Sequence, residues 1–462
     1  MTETLLRGHS PASRAFHSAA HRPGAPSSLA PTSLAPGAQA PATAATAPAG
    51  LTTARGASLY IGALLGPGLL LLPGLAAAEA GPASVLAWAG LLVLSGLFAV
   101  VFGSLGRGFP SAGGVIGYVR AGLGARASAI AGWSFLAGVV AGAPVVCLIG
   151  AGYVTELTGG GTLARALIAA GLLLAVLALA AGGLRSSAPA QLLLVGLLLV
   201  VVIVAVGGSA RWSHTANWTP FAPHGWQAVG HAASTLMLSF VGWEAVAPLT
   251  TRFADPARQL PRVIGIALAV TSVLYLGLAV ATISVLGAGA GISAPLAALL
   301  RDAAGPAGTV AAAVAAVVLT LGAVNAYVTG AAEMAVELTR PAGAGPAAER
   351  AARPAPRFLA VIAGYGLALI ALYGLGLASP AALVAIPTTL FLVVYLGCMT
   401  SAVRVLRGPG RLAAAPAAVI VAVVLGYCGW ALLAPLAVVV AVCSARPLAA
   451  AVRAMREGHQ SR

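Results

Sequence analysis

Two apolar stretches carry residues that interrupt a helix where a membrane-spanning segment needs one most. The first, GALLGPGLLLLPG at residues 62–74, has a Gly-Pro-Gly triplet at residues 66–68. The second, TLMLSFVGWEAVAPLTTRF at residues 235–253, contains Gly242 and the charged Glu244. A broken helix exposes N–H groups that attract a carboxylate at one half, and C=O groups that attract an ammonium or a cation at the other. Together the two kinds of helix end suit a zwitterion.

The composition places both stretches in a membrane. The chain of 462 residues is 60% hydrophobic and 8% charged, with a mean hydropathy of +0.97. Soluble domains carry about 25% charged residues, and a membrane span needs about 20 apolar ones, so the sequence has room for about twelve spans. The predicted spans, numbered 1 to 12, cover residues 58–79, 83–104, 127–152, 163–182, 189–208, 229–251, 262–287, 308–333, 357–376, 380–403, 411–428 and 430–446.

The positive charge follows the predicted topology. All 25 basic residues are Arg, and the formal net charge is +15. On one side of the membrane the predicted loops hold only Arg165, Arg211 and Arg301, while the other 22 lie on the opposite side. By the positive-inside rule this split predicts a multi-pass protein of the cell membrane with both termini cytoplasmic. The excess of arginine is therefore explained by the orientation of the chain in the membrane, which argues against a nucleic-acid partner.

The two interrupted spans, the first and the sixth, lie at corresponding positions of two five-span blocks. Five is an odd number, so the second block would run inverted relative to the first, and broken helices at matching positions mark a transporter's binding site. A lone Gly-Pro-Gly would more often mean a kink or close helix packing. The predicted organisation is a disordered cytoplasmic tail (1–55), a first repeat (56–210), an outer loop (211–228), an inverted second repeat (229–405), two peripheral helices (406–446) and a cytoplasmic tail (447–462).

Four motifs in order resemble the amino acid–polyamine–organocation (APC) superfamily of permeases over residues 56–446. The first is Gly-small-Gly, then aliphatic residues and Pro-Gly, at residues 66–74. The second is Phe-x-Gly-aromatic-Glu at residues 240–244, and the third is Asp-Pro-x-Arg-x-x-Pro-Arg at residues 255–262. The fourth, Pro-x-x-Gly-Gly-x-x-x-Tyr at residues 110–118, resembles a re-entrant element of that family. The wording of the first motif is most similar to the branch that exports methionine and branched-chain amino acids.

The resemblance implies an all-α fold of ten helices in a 5+5 inverted repeat, with broken helices 1 and 6, plus two peripheral helices. Substrate would lie between helices 1, 6, 3 and 8. Amides of the first break would hold the carboxylate, and carbonyls around Leu64, Leu238 and Val241 would accept the ammonium. Pro67 departs from the family pattern, because proline has no N–H to offer. The predicted substrate contacts are Leu64, Gly66, Pro67, Gly68, Leu69, Leu238, Phe240, Val241, Gly242 and Trp243.

Polar residues inside the predicted spans are few, and each has two readings. A carboxylate in a membrane is costly, so Glu244 suits proton uptake and release, or else it accepts hydrogen bonds from the unwound backbone. Asn325 in span 8 is a site contact or an interhelical hydrogen-bonding residue. Phe240 and Trp243 indicate a pocket for an apolar side chain, the alternative being packing or an interfacial belt. Span 8 lacks the adjacent hydroxyl residues of sodium-dependent relatives with this fold.

The sequence offers no pattern for an enzyme. No nucleophile–base pair or metal-ligand cluster stands out, and the expectation is neither a cofactor nor a metal. We therefore predict a secondary transporter for neutral, hydrophobic amino acids that works by alternating access, with proton coupling and export as its finer features. The alternatives are a permease for another amine or a polyamine, and a channel or membrane sensor. The particular amino acid, direction, coupling ion and oligomeric state stay open.

Overall fold

The part of the chain that the structure describes folds almost wholly into apolar helices, because a helix satisfies every backbone hydrogen bond within itself and lipid supplies none. The computed structural model describes residues 51–66, 68–109, 114–183, 188–245, 253, 255–339 and 354–444. Five features of the sequence analysis fall outside them: the tail up to residue 50, Pro67, the Pro-Gly part of the fourth motif at 110–113, residues 246–252 of the second interrupted stretch and the tail from residue 447.

Thirteen helices are distinguished in this part of the chain, the last of them opening with a short 3₁₀ turn. They are α1 (Thr53–Leu64), α2 (Gly68–Ala80), α3 (Ser84–Gly108), α4 (Gly114–Thr158), α5 (Thr162–Ala181), α6 (Ala188–Ser209), α7 (Gln227–Leu236), α8 (Pro256–Leu286), α9 (Pro295–Thr339), α10 (Pro356–Gly374), α11 (Pro380–Val405), α12 (Pro409–Gly426) and α13 (Gly429–Ser444).

Nine stretches among the described residues are long and apolar enough to cross a membrane, against the twelve spans that the sequence predicts. The difference lies where helices are broken or short. Span 1 is divided into α1 and α2, and α2 is counted together with α3 as one stretch, Gly68–Gly108. Span 6 is represented by α7, which has ten residues. Span 12 corresponds to the short helix α13.

The helices at spans 3 and 8 are longer than predicted, because each is joined to a preceding segment across a kink. α4 bends at Gly124, where φ is 81°, and α9 bends at Gly305, where φ is 65°. The segment of α4 before the kink contains the end of the fourth motif. No sequence motif predicted the segment of α9 before its kink, although the Gly305-Pro306 pair is a recognisable helix breaker.

The core is built around α4, which packs against α11, α9, α5 and α10. Small residues let backbones approach closely, as is usual between membrane helices. A Cβ atom at Gly122 would lie 2.8 Å from the backbone of Ser401, and one at Gly138 would lie 3.1 Å from the ring of Phe391. This close packing brings α4, α9 and α11 against the two interrupted segments.

Candidate functional site

The first break separates α1 from α2. α1 ends at Leu64, and the Gly66 N–H turns back to the Leu64 carbonyl at 2.9 Å. α2 begins at Gly68, with Pro67 outside the described residues. Leu69 N donates to the Gly66 carbonyl at 3.2 Å, so this amide is engaged within the turn. The break therefore presents carbonyl groups at the end of α1 and the N-terminus of α2 to the same region.

The second break follows α7 and is longer. The chain passes through a 3₁₀ turn at Met237–Phe240, becomes extended at Val241 (φ −74°, ψ 135°), and enters another 3₁₀ turn at Trp243–Ala245. Gly242 between them has φ 140°, which side chains other than glycine rarely adopt. A Cβ atom there would also collide with the carbonyl oxygen of Ala63 in α1. The two breaks are thus in direct contact.

Glu244 bonds to the backbone of its own break. Its Oε2 accepts the Gly242 N–H at 2.9 Å and the hydroxyl of Tyr395, from α11, at 2.5 Å. The Tyr395 oxygen in turn accepts the N–H groups of Gly242 and Trp243, at 3.0 and 3.2 Å. A single carboxylate and one tyrosine therefore satisfy amides that the interrupted helix leaves without carbonyl partners.

A cavity lies where the two breaks meet α4, α9 and α11. Its walls are apolar, and Tyr327 alone among the lining residues has a polar side chain. The α4 wall has two glycines one turn apart, which leave room for a ligand group. The lining residues are Gly66, Gly68, Gly138, Val139, Gly142, Ala143, Val146, Leu238, Val241, Val324, Tyr327 and Phe391.

Some of the site residues predicted from the sequence line the cavity, and others do not. Gly66, Gly68, Leu238 and Val241 line it. The predicted contacts that are not among the lining residues are Leu64, Leu69, Phe240, Gly242, Trp243, Glu244 and Asn325. The hydrogen bonds at the two breaks involve Leu64, Gly242 and Glu244. Asn325 is buried on α9 and follows the lining residue Val324 in the chain.

The two aromatic residues predicted for the pocket face other helices. Trp243 is fully buried, and its Nε1 donates to Ser95 Oγ of α3 at 2.8 Å. Phe240 packs against Trp88 of α3 and Tyr275 of α8, with ring centroids 5.9 and 5.3 Å apart. The apolar wall that the sequence analysis expected from them comes instead from valines and from Phe391.

Sequence reasoning missed three tyrosines, which are Tyr275, Tyr327 and Tyr395. Each lies in a predicted span other than the two interrupted ones. A tyrosine in the middle of an apolar span is a usable signal, because its hydroxyl needs a partner when buried.

Another acid within the predicted spans, Glu79, lies at the end of α2 away from the first break, and the sequence analysis did not single it out. Glu79 Oε1 accepts the hydroxyl of Thr235, from α7, at 2.8 Å. His224 Nδ1 lies 3.0 Å from the Glu79 backbone carbonyl. The C-terminal end of α2 is therefore held to the last turn of α7, just before the second break. No group of His, Cys, Asp and Glu that could hold a metal occurs within the described residues.

Helices interrupted at an apolar cavity define a class of multi-pass α-helical membrane transporters. The model of the family described as "Amino acid permease" matches residues 51–450. An amino acid permease of Bacillus subtilis, YecA, itself uncharacterised, is 32% identical over 392 residues, covering 83% of this chain and 92% of the relative. The chain belongs to the amino acid permease family, and it is a transporter rather than an enzyme.

Two further likenesses bear on fold and substrate. The L-methionine/branched-chain amino acid exporter YjeH of Escherichia coli is 34% identical over 233 residues, which span 49% of this chain and 54% of the exporter. The crystal structure of MhsT in complex with L-phenylalanine superposes with a TM-score of 0.60 at 15% identity, covering 84% of this chain and 98% of MhsT. The second likeness shows a shared fold, since the sequence identity is low.

Proposed function

We propose that this permease carries neutral, hydrophobic amino acids across the cell membrane by alternating access, and that it works as a proton-linked exporter. The observation that carries the proposal is the cavity, which places two interrupted helices at one end of an apolar chamber. The N-terminus of α2 suits the carboxylate, and the carbonyls of both breaks suit the ammonium. The proposal includes twelve spans in a 5+5 inverted arrangement with two peripheral helices, and both termini in the cytoplasm.

The cavity lining supports a neutral substrate side chain. None of the described residues that line the cavity has a charged side chain, and those opposite the breaks are glycine, alanine, valine, tyrosine and phenylalanine. A cationic amino acid or a polyamine would need a carboxylate to face its second charge, since a buried charge without a partner is costly. Glu244 is already engaged by Gly242 and Tyr395.

The proposed direction of transport and the proposed coupling to protons are supported by separate observations. The similarity to a methionine and branched-chain amino acid exporter favours export and that substrate class. Loss of the Pro67 N–H removes one donor for the substrate carboxylate, and weaker capture suits a protein that faces a high internal concentration. Glu244 is the acid at the break and is the proposed proton-binding residue.

The test is counterflow in proteoliposomes that are loaded with one unlabelled amino acid at a time, at two pH values. We expect methionine and leucine to drive uptake of their labelled forms, and arginine and putrescine not to do so. Counterflow of putrescine without counterflow of any neutral amino acid would favour the alternative permease. If no α-amino acid or polyamine exchanges, the proposed substrate class is wrong, although the fold stands.

The glycines of α4 are expected to set the size of the accepted side chain. Gly142→Ala adds a methyl group to the cavity wall, and its Cβ would lie at an ordinary contact distance, 3.6 Å from the Pro387 ring. Crowding in a packed site costs about 1–3 kcal/mol, so KM for methionine and leucine should rise about tenfold. KM for alanine should change little, because its side chain is short.

Gly171→Ala is the matched control for Gly142→Ala. It makes the same change on α5, where the glycine is exposed and a Cβ would meet nothing within 4 Å. The ratio of the KM values for leucine and alanine is the measurement. An equal rise for both amino acids would mean that Gly142 does not face the substrate side chain.

A further inference from the structure

One hydroxyl group ties together the carbonyl ends of both breaks. Tyr275 of α8 is 1% exposed, and its oxygen lies 2.6 Å from the Leu64 carbonyl oxygen and 2.7 Å from the Ser239 carbonyl oxygen. Its ring is fixed by edge-on contacts with Trp88 and Phe240, at 5.1 and 5.3 Å between ring centroids. The hydroxyl therefore sits at one defined point between α1 and the 3₁₀ turn that follows α7.

The two carbonyls need more protons than this hydroxyl has. A phenol offers one hydrogen, so at any moment Tyr275 donates to one of the two oxygens within reach. The Leu64 oxygen also accepts the Gly66 N–H, so it keeps one donor when the hydroxyl turns to the Ser239 oxygen. When the hydroxyl donates to the Leu64 oxygen, the Ser239 carbonyl loses that donor, and a buried carbonyl without a donor is costly, above all within a membrane. Tyr275 can therefore serve only one of the two carbonyls at a time.

An α-amino acid brings the missing protons. Its ammonium group has three donors, and hydrogen bonds from a charged donor are shorter and stronger than those from a neutral hydroxyl. The Leu64 carbonyl ends the turn whose Gly66 lines the cavity, so it lies next to the chamber. With three donors, the ammonium can serve both the Leu64 and the Ser239 oxygen, the two that the Tyr275 hydroxyl reaches, and so can replace the hydroxyl at both.

We propose that the Tyr275 hydroxyl stands in for the substrate ammonium when the protein is empty, and that it thereby allows the unloaded carrier to change sides. The proposal rests on the proposed function. An empty carrier that closes around the breaks must bury their carbonyls without substrate, and Tyr275 supplies the donor for that step. A loaded carrier does not depend on it. Tyr275 is therefore a positioning residue that decides between net transport and obligatory exchange.

The experiment compares two transport modes in the same vesicles. In net efflux, the carrier must cross back to the inner side without substrate. In counterflow, the carrier crosses in both directions with substrate bound. Tyr275→Phe keeps the ring and removes the hydroxyl. Loss of one buried hydrogen bond is worth about tenfold in rate, so net efflux should fall about tenfold while counterflow stays within about twofold. The KM of counterflow should fall, because the ammonium no longer competes with the hydroxyl for the Leu64 oxygen.

Two control variants separate this role from a structural one. Tyr153→Phe removes another buried hydroxyl, which donates to the Leu70 carbonyl of α2 at 2.6 Å, and should change both modes equally. Ser239→Ala keeps the backbone carbonyl that Tyr275 contacts. The buried Oγ of Ser239 has no hydrogen-bond partner among the described residues, so the ratio of net efflux to counterflow should not change.

The ratio of net efflux to counterflow is insensitive to the amount of folded protein. An unchanged ratio in Tyr275→Phe, or a ratio that falls equally in Tyr153→Phe, would overturn the proposal. The failure of the proposed function would be seen separately, as absence of counterflow in the unmodified protein.

Discussion

Glu244→Gln is expected to leave counterflow active and to remove its dependence on pH. Glutamine has the shape of a protonated glutamate, and its amide oxygen can still accept the Gly242 N–H or the Tyr395 hydroxyl. A glutamine side chain cannot bind or release a proton at the pH values of the transport assay. If Glu244 is the group whose protonation is linked to transport, the variant should have one rate from about pH 5.5 to pH 8, close to the rate of the protonated protein.

The geometry explains why protonation would act on the break. The ionised Glu244 accepts charge-assisted hydrogen bonds from Gly242 and Tyr395, which are stronger than those between neutral groups. Protonation at either oxygen removes the charge and weakens both bonds, while Tyr395 continues to accept the amides of Gly242 and Trp243. One proton thus changes how α11 is bonded to the second break.

The control for Glu244→Gln is Glu156→Gln, which removes an exposed carboxylate at the end of α4 and should preserve the pH profile. Initial rates of counterflow over the pH range are the measurement. A Glu244→Gln variant with an unaltered pH profile would mean that the carboxylate is a structural acceptor for the unwound backbone. The proton link would then belong elsewhere, and Glu79 between α2 and α7 would be the next residue to test.

The breaks themselves were predictable from the sequence, and their partners were not. The Gly-Pro-Gly triplet and the Gly242–Glu244 segment can be recognised in the sequence, because helix-breaking and charged residues are unfavourable within a membrane helix. Tyr275 reaches the Leu64 carbonyl from 211 residues away, and Tyr395 reaches Glu244 from 151 residues away. Nothing local to either tyrosine specifies those partners, since they depend on how α8 and α11 pack against the breaks.

Side-chain direction was the other limit. In a regular helix the 3.6-residue period tells which residues share a face. At Phe240 and Trp243 the backbone changes from a 3₁₀ turn to extended and back, so no period applies. The sequence analysis placed both aromatic rings in the pocket, whereas the structure turns them towards α3 and α8. Val241, between them, is the residue that lines the cavity.

Gly242→Ala is expected to abolish transport. The residue has φ 140°, where a Cβ atom is strained, and a Cβ there would strike the Ala63 carbonyl oxygen and lie 3.3 Å from the Leu64 amide nitrogen. Backbone strain of this kind costs about 1–3 kcal/mol before the collision is counted. The obstacle is backbone and cannot rotate away, so α1 must move from the second break. Because α1 also carries the Leu64 carbonyl, counterflow should fall about a hundredfold or more.

Gly265→Ala provides the comparison that isolates the contact between the breaks. It lies in α8, and a Cβ there would meet nothing within 4 Å, so counterflow and thermal stability should stay near those of the unmodified protein. For Gly242→Ala, the melting temperature should fall and added methionine should no longer raise it. A Gly242→Ala protein that still binds and exchanges methionine normally would show that α1 and the second break need not touch during transport, and the binding site proposed between them would have to be placed elsewhere.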